Sequence, residues 1–422
     1  MEISSKKIDK GIQCEVLQRE YIPPNIQSTF FHESEGWSVF YRSRTISLLI
    51  FMLVTLYVTS YWFQSPTLQE SAYIGYIFSF LAFCAYGGSY FPNTLIQRPH
   101  PLFWRLLQSW ACVYMMSIVF LIYFTPEQLQ QFLQQFVDPK LGRPLPQKSY
   151  AEDCRFYTPE NEKSKFYNLT SSFDVFVPAH IFGWTVKMWI LRDFKLAMFQ
   201  QIAFEFMEIT FRHWLPNFWE CWWDHVILDI IICNTGGIIV GWYTMKLFGM
   251  KEYKWSLRKE NRKDSWFKNF KRLCLSPQLD RIEWKVFSSV KRFLLVIWFL
   301  VFMNLCDLSF FFNKFVLQIN TAHNVMKFRV FPLGFFSIVA ARDYYVYISD
   351  ENVTRLGPNA WLMHAIVLGE WVLFFRNYQG IFVEKFPTYI VIIWIGIFAL
   401  FFITLFSIWK RERRLNKLKK ID

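Results

Sequence analysis

Charged residues are scarce in this sequence of 422 residues. Asp, Glu, Lys and Arg make up 19% of the chain, whereas 53% is hydrophobic and 21% aromatic. A soluble domain of this length rarely has so apolar a composition, but a chain that crosses a bilayer several times requires it. The low charge content therefore argues against a soluble enzyme and predicts a polytopic membrane protein.

Several motifs are also absent, and each absence argues against a class of protein. The eight cysteines form no CxxC pair, so no zinc or dithiol site is indicated; most lie in apolar runs, where reduced, packed thiols are expected. No Asp-Gly pair occurs, although the DGxxAR motif of phosphatidyltransferases that use a nucleotide-activated lipid requires one. There is no HxxxxD arrangement for acyl transfer and no GxxxxGK phosphate loop. The polar start of the chain lacks the apolar core of a cleavable signal peptide.

Ten apolar runs predict about ten transmembrane helices and hence an all-α fold. Each run has about 18–25 residues, enough to span the hydrocarbon core as a helix. The predicted spans are 45–63, 72–91, 106–124, 174–191, 196–214, 221–247, 291–313, 329–349, 359–375 and 388–409. The predicted organisation is a cytosolic segment 1–44, a transmembrane domain 45–409 with a lumenal loop 125–173 and a basic cytosolic loop 248–290, and a basic cytosolic tail 410–422. Within the lumenal loop, 126–136 is predicted to be a short amphipathic helix.

The distribution of basic residues orients this topology, because Lys and Arg are enriched in cytosolic loops. Residues 251–285 contain 11 Lys and Arg against 5 Asp and Glu, and residues 410–422 contain 7 against 2. With ten spans, both segments, the basic N-terminal residues and Arg98 fall on the cytosolic side. Since the basic residues follow the membrane topology, nucleic-acid binding is not expected.

Short signals give weaker indications of location. Asn168 begins a glycosylation sequon in the predicted lumenal loop, and Asn352 begins one on the cytosolic side that is expected to stay unmodified. The pair Lys419-Lys420 near the end of the sequence is similar to the dilysine retrieval signal of endoplasmic-reticulum membrane proteins. A basic tail at the membrane surface is the alternative interpretation.

The central stretch 174–237 is apolar but contains an unusual number of acids. Ionisable groups within a bilayer cost several kcal/mol each on most estimates, so a cluster indicates a shared function. Residues three or four apart share a helix face, which applies to Glu205 with Glu208 and to Glu220 with Asp224. A hard divalent cation such as Ca²⁺ would neutralise them, since it takes six to eight oxygen ligands. The candidate ligands are Glu205, Glu208, Asn217, Glu220, Asp224 and Asp229.

Two alternatives explain these acids without a metal: they are protonated, or they pair with Lys187, Arg192 or Arg212. His180, on the preceding predicted helix, is a candidate general base near neutral pH, and a hydrogen-bonded packing residue is the alternative. Arg342 is a rare base in the eighth span that could hold a lipid phosphate or a carboxylate. Its alternative is an ion pair with Asp343 or Asp307.

Three segments carry a resemblance to a known family. They are QRPHPLFWR, DVFVPAHIFGWTVK and the run FEFMEITFRHWLPNFWECWWDHVILDIIICNTGG. They are similar to segments of the eukaryotic base-exchange phosphatidylserine synthases, and the pattern LPNFWECWWDxxILDxxxCNxGG is long and rich in Trp. The resemblance extends more loosely over about residues 37–409, including FFFNKFV near 310 and ARDYYVYISD near 341.

The resemblance implies a ten-span enzyme of the endoplasmic-reticulum membrane that exchanges the head group of phosphatidylcholine or phosphatidylethanolamine for L-serine. It implies Ca²⁺ as cofactor, His180 as the base that activates the serine hydroxyl, and the six candidate ligands as the source of the metal site. It links Arg98 to feedback inhibition by the product, with a cytosolic anchor as the alternative, and it suggests a homodimer. The lipid donor stays open. A transporter or channel with an intramembrane cation site is the rival interpretation, but it leaves His180 and the Trp-rich turn unexplained.

Overall fold

The computed structural model is helical throughout the part of the chain that it describes, with no strand there. That part comprises residues 43–63, 67–92, 94, 100–143, 151, 153–162, 164–173, 176–247, 284–320, 323–350, 353–377 and 384–418. The predictions made for the N-terminal segment up to residue 42, Arg98, the bulk of the basic loop (248–283), Asn352 and the dilysine pair lie outside it. The chain divides into two compact units, one formed by residues 1–92 and 254–264 and the other by the remainder.

The first unit contains two helices, α1 (Ser43–Trp62) and α2 (Leu68–Tyr90). Both follow from long apolar runs, and α2 begins at Thr67, whose side chain accepts a hydrogen bond from the Glu70 backbone NH at 3.3 Å. These helices match the first two predicted spans.

The second unit contains the other helices. They are α3 (Pro101–Ile122), α4 (Pro126–Phe136), the short α5 (Tyr167–Ser172), α6 (Phe176–Leu191), α7 (Phe194–Phe211), α8 (Asp224–Leu247), α9 (Val290–Val316), α10 (Asn324–Ser349), α11 (Pro358–Asn377) and α12 (Thr388–Leu418). A 3₁₀ turn, Pro216–Phe218, lies in the segment that connects α7 to α8. The amphipathic helix predicted at 126–136 is α4, which begins with a capping box formed by Thr125 and Gln128.

Helices therefore lie at all ten predicted spans. Six described segments are long and apolar enough to cross a membrane. One is Gln69–Ser89, which lies within α2, and the other five are the helices α3, α8, α9, α10 and α12. The shorter helices α6 and α7 are not among these six. The all-helical membrane fold is confirmed, and the count of ten crossings stays a prediction.

Contacts between helix ends show that α6, α9 and α12 alternate in direction and that α7 runs opposite to α12. At one end of the second unit, the Trp284 indole donates to the Leu191 carbonyl at 2.8 Å, and the Val290 NH donates to Glu412 at 3.0 Å. At the opposite end of the unit, the Trp214 indole, just after α7, donates to the Glu384 carbonyl, just before α12, at 2.9 Å. This alternation is the arrangement that successive membrane crossings require.

Helices α6 and α8 pack closely, because α8 has glycine at two positions where it faces α6. A Cβ atom at Gly237 would lie 2.5 Å from the Ile181 carbonyl oxygen, and one at Gly241 would lie 2.7 Å from the Met188 Cβ. Thr185 strengthens the contact by donating its hydroxyl to the Gly237 carbonyl at 3.1 Å. Small residues permit such close approach between membrane helices, and here the approach packs α6 along the second half of α8, after Asp229.

Candidate metal centre and active site

Three elements bring acidic side chains together in the second unit. Glu205 and Glu208 are three apart on α7 and share a buried face, Glu220 lies in the turn before α8, and Asp229 is buried on α8. The chain reverses direction between α7 and α8, so these faces meet. The shared helix face predicted for Glu205 with Glu208 is confirmed, and the one predicted for Glu220 with Asp224 is wrong because Glu220 precedes the helix.

A local departure from α-helical geometry selects the face that α8 presents. Its first half, Asp224–Asn234, is a π-helix, a form that occurs frequently at functional sites. Asp224, Asp229 and Asn234 are spaced five apart. In an α-helix with 3.6 residues per turn this spacing would turn them well away from one another, whereas i→i+5 hydrogen bonding brings them towards one face.

His225 lies at the centre of these acids, although it was not among the predicted ligands. Its Nδ1 is 3.2 Å from Glu205 Oε2, 3.6 Å from Glu220 Oε2 and 3.9 Å from Glu208 Oε2. Asn234 donates its amide to Glu205 Oε1 at 2.7 Å. Its place next to Asp224 and four positions before Asp229 was the sequence signal that could have identified His225.

The cluster has the donors of a divalent-cation site. Two groups of three side chains, Glu205 with His225 and Asp229, and Glu208 with Glu220 and His225, each have ligand atoms within 4.8 Å of one another. Among the described contacts, the buried oxygens Glu208 Oε2 and Glu220 Oε2 have no hydrogen-bond partner. Buried carboxylate oxygens without donors are costly, and a cation would compensate that cost. The residues therefore fit a divalent cation.

The bases that were considered as ion-pair partners make their described contacts elsewhere. Lys187 pairs with Asp307 at 2.8 Å and lies over the Trp184 ring. The Arg192 Nε donates to the Trp189 carbonyl, and Arg212 donates to the Tyr389 hydroxyl at 2.7 Å. Among the described residues, the bases that contact these acids are His225 and, at Asp229, His180.

His180 on α6 meets the edge of this cluster. Its Nδ1 lies 3.0 Å from Asp229 Oδ1, and its side chain is 26% exposed, compared with 9% for Asp229. A carboxylate on one imidazole nitrogen fixes the tautomer and leaves the other nitrogen to exchange protons. Asp229 therefore connects the candidate base to the cation cluster.

The remaining predicted residues have different positions. Asp224 is buried and accepts a hydrogen bond from Ser172 at 3.3 Å. Asn217 lies in the 3₁₀ turn, and its side chain is outside the described part of the structure. Arg342 is buried on α10. The two acids proposed as its partners have other contacts, since Asp343 accepts from Asn359 at 3.0 Å and Asp307 pairs with Lys187.

A disulfide joins the loop before α5 to the acidic turn. Cys154 and Cys221 are bonded across 67 residues, so the expectation of reduced thiols is wrong for this pair. The Trp223 indole also donates to the Cys154 carbonyl at 3.2 Å. Asn168, in the sequon, donates its amide to the Asp153 and Arg155 carbonyls at 2.9 and 3.0 Å. Hydrogen bonds from Arg155 lower the pKa of Asp153 to about 2, so this carboxylate is ionised at neutral pH.

An apolar cavity of about 560 Å³ lies beside α6, bounded also by α9, α10 and α11. Its lining is mainly aliphatic and aromatic, with Lys187, Asp307 and Arg329 as charged members. Ala179, next to His180, is part of its wall. Arg329 forms a two-point ion pair with Glu370, at 3.0 and 2.7 Å. The volume is that of a ligand pocket, and the lining suits hydrocarbon. Arg342 is not among the lining residues.

Comparison with known proteins identifies relatives over most of the chain. The family model described as phosphatidyl serine synthase matches residues 99–378. Phosphatidylserine synthase 2 of Homo sapiens is 35% identical over 368 residues, which cover 84% of this chain and 73% of the human protein. CDP-diacylglycerol--serine O-phosphatidyltransferase 2 of Oryza sativa subsp. japonica is 34% identical over 399 residues, which cover 91% of this chain and 93% of the rice protein. CDP-diacylglycerol--serine O-phosphatidyltransferase 1 of Arabidopsis thaliana is 33% identical over 397 residues, or 92% of this chain and 93% of that protein.

The helical fold, the buried acidic cluster and the neighbouring apolar cavity define an integral membrane enzyme. The chain belongs to the phosphatidylserine synthase family, and it is therefore a transferase of phospholipid biosynthesis. The resemblance seen in the sequence is confirmed, and a transporter or channel is not favoured.

Proposed function

We propose that this protein makes phosphatidylserine by base exchange, replacing the head group of phosphatidylethanolamine or phosphatidylcholine by L-serine. The contact of His180 with Asp229 carries the proposal, because it places a candidate base 3.0 Å from a member of the cation cluster. A base beside a cation is the pairing that phosphoryl transfer to a hydroxyl needs.

The reaction is assigned to the residues as follows. Asp229 holds the proton of His180 on Nδ1, so Nε2 takes the proton from the serine hydroxyl. The serine oxygen then forms a bond to the lipid phosphorus, and the bond from phosphorus to the head-group oxygen breaks. The proton on His180 passes to the departing ethanolamine or choline oxygen. Atoms and charge balance without a nucleotide.

The proposed cofactor is Ca²⁺, held by carboxylates of Glu205, Glu208, Glu220 and Asp229, with Asp224 and Asn217 as the further predicted ligands. When bound, a divalent cation offsets the negative charge of the phosphodiester. Glu205 is itself oriented by Asn234, and Asp224 by Ser172. These partners fix the carboxylates before the cation arrives.

The cavity beside α6 is the proposed site for the apolar part of the lipid. Its wall continues along the helix that carries His180, through Ala179 and Gly183 to Lys187. A lipid whose chains occupy this space has its phosphate near the start of α6. Arg342 does not line the cavity, which weakens its candidacy for contact with the lipid phosphate.

The proposed location is the endoplasmic-reticulum membrane, with both termini cytosolic. The Cys154–Cys221 disulfide supports an oxidising compartment on the side of the acidic turn, because disulfides are rare in the cytosol. The homodimer and the regulatory role of Arg98 stay proposals that rest on the resemblance.

A second candidate is transfer of the phosphatidyl group from CDP-diacylglycerol to serine. The names of the rice and Arabidopsis relatives favour it. The sequence argues against it through its lack of an Asp-Gly pair.

One assay separates these functions. Purified full-length protein in detergent is given labelled L-serine and Ca²⁺ with phosphatidylcholine, phosphatidylethanolamine or CDP-diacylglycerol. Base exchange predicts labelled phosphatidylserine from one or both head-group lipids, with release of the free base. Labelling from CDP-diacylglycerol alone would establish the second candidate, and no labelling from any lipid would overturn both.

A further inference from the structure

His225 is the central side chain of the acidic cluster. It is 7% exposed, and three carboxylate oxygens of Glu205, Glu208 and Glu220 lie within 3.9 Å of its Nδ1. It belongs to both groups of three side chains that could hold a cation. Any ion bound by these carboxylates is therefore close to an imidazole nitrogen.

Packing alone does not account for this position. A histidine that only fills space needs one acceptor, and Glu205 already provides it at 3.2 Å. Glu208 and Glu220 nevertheless direct additional oxygens towards the same nitrogen, and those oxygens have no hydrogen-bond partner among the described residues. Glu208 is 4% exposed, so water does not satisfy it from outside. A cation shared by the imidazole Nδ1 and the carboxylates would satisfy these oxygens.

The donor set indicates which ion is preferred. Calcium is a hard cation that takes oxygen ligands, whereas imidazole nitrogen suits transition metals and carboxylate suits Ca²⁺ and Mn²⁺ alike. A site with one imidazole and several carboxylates thus combines donors that Mn²⁺ accepts together. Replacing the imidazole by an amide oxygen would restore the all-oxygen set that Ca²⁺ prefers.

We propose that His225 is a nitrogen ligand of the cation site and shifts its preference from Ca²⁺ towards Mn²⁺. The inference rests on the cation cluster of the proposed function, in which Ca²⁺ stays the proposed cofactor, and it concerns how well the same site also binds Mn²⁺. It makes His225 the residue that determines metal specificity.

Pulsed electron paramagnetic resonance tests the ligand directly. The full-length protein in detergent is loaded with one equivalent of Mn²⁺, and ¹⁴N modulation of the Mn²⁺ signal reports a coordinated imidazole. We expect this modulation in the wild type and its loss in His225→Gln. His323→Gln is the matched control, since His323 also contacts a carboxylate, Asp138 at 3.3 Å, outside the cluster; it should keep the modulation.

Competition between ions gives a second measurement. In His225→Gln, the Ca²⁺ concentration that displaces half of the bound Mn²⁺ should fall by about tenfold or more, the range over which single residues near a metal change its affinity. Absence of ¹⁴N modulation in the wild type, its persistence in His225→Gln, or an unchanged displacement concentration would overturn the proposal. These readouts do not involve catalysis, so failure of base exchange is seen separately, as absent serine incorporation.

Discussion

Asp229 has two neighbours that compete for its carboxylate. One oxygen lies 3.0 Å from His180, and the side chain also belongs to a group of potential cation ligands with Glu205 and His225. An aspartate in this position orients the base and lowers the cost of a proton on it. At the residue scale, the base and the metal are therefore expected to act as one unit.

His180→Ala is expected to lower serine incorporation by about 10²–10⁴-fold, the usual contribution of a general base. Cation binding should persist, because the other carboxylates and His225 remain. The measurement is the rate at saturating serine together with Mn²⁺ or Ca²⁺ binding by titration calorimetry. A rate like that of the wild type would exclude His180 as the base.

Glu220→Gln should raise the Ca²⁺ concentration needed for half-maximal activity by about tenfold or more, since the variant loses one charged oxygen of the cluster. Glu384→Gln is the matched control, because Glu384 lies in the turn before α12, outside the acidic cluster, where its backbone carbonyl accepts from Trp214. Equal Ca²⁺ dependence in both variants would show that Glu220 is not a ligand.

The acids could be predicted as a group at this scale, but their partners could not. Spacings of three and four residues predict a shared face for Glu205 with Glu208, and the structure confirms it. His225 was missed because its one sequence signal, a position between Asp224 and Asp229, does not show which side chains its ring contacts. Its role depends on contacts with Glu205 and Glu208 on α7 and with Glu220 in the turn before α8. These contacts exist only once the elements have packed together.

At the scale of elements, the approach of α6 to α8 positions the base. Gly237→Ala would place a Cβ 2.5 Å from the Ile181 carbonyl oxygen, on backbone that cannot rotate away. Relieving that clash costs about 1–3 kcal/mol and separates the helices that hold His180 and Asp229. We expect a lower thermal midpoint and at least a tenfold loss of rate, where a tenfold change corresponds to about 1.4 kcal/mol.

Gly236→Ala is the matched control for this change. A Cβ there meets no atom within 4 Å, and alanine favours a helix over glycine by about 0.5–1 kcal/mol. Its stability and rate should equal or exceed those of the wild type. Equal loss in both variants would show that the effect is not due to the contact between α6 and α8.

The disulfide stabilises the acidic turn from outside the helices. Closing a loop of 67 residues removes chain entropy worth about 4 kcal/mol from the unfolded state. Cys154→Ser should therefore lower the thermal midpoint and raise the Ca²⁺ requirement, because Cys221 is next to Glu220. Dithiothreitol should destabilise the wild type but not this variant. Cys84→Ser, at a free thiol, should have no such effect.

Neither the disulfide nor the π-helix of α8 could be predicted from the sequence. Pairing of Cys154 with Cys221 depends on where the loop before α5 folds back, and spacing does not encode that. The π-helix leaves the hydrophobic pattern of a helix unchanged and alters only its hydrogen bonding, so composition at 224–234 cannot distinguish it from an α-helix.

At the scale of the whole molecule, helix positions were predictable because apolar length sets them. The described helices follow the ten runs, and α4 occupies the range predicted for an amphipathic helix. Whether α6 and α7 cross the membrane is a different question. They have 16 and 18 residues, near or below the usual length of a span, and they carry the polar site. Their ends decide the number of crossings.

Single cysteines at three exposed positions test that number. Glu162 lies in the loop before α6, Lys195 at the start of α7, and Arg414 near the end of α12. Ten crossings place Lys195 and Arg414 on the cytosolic side and Glu162 on the lumenal side. In sealed microsomes, an impermeant maleimide should therefore label Lys195→Cys and Arg414→Cys, but label Glu162→Cys only after the membrane is permeabilised. If α6 and α7 do not cross, Lys195→Cys is instead protected together with Glu162→Cys. That result would leave His180 and the acidic cluster on helices that enter and leave the bilayer on the lumenal face, with the lipid reaching the site from that leaflet alone.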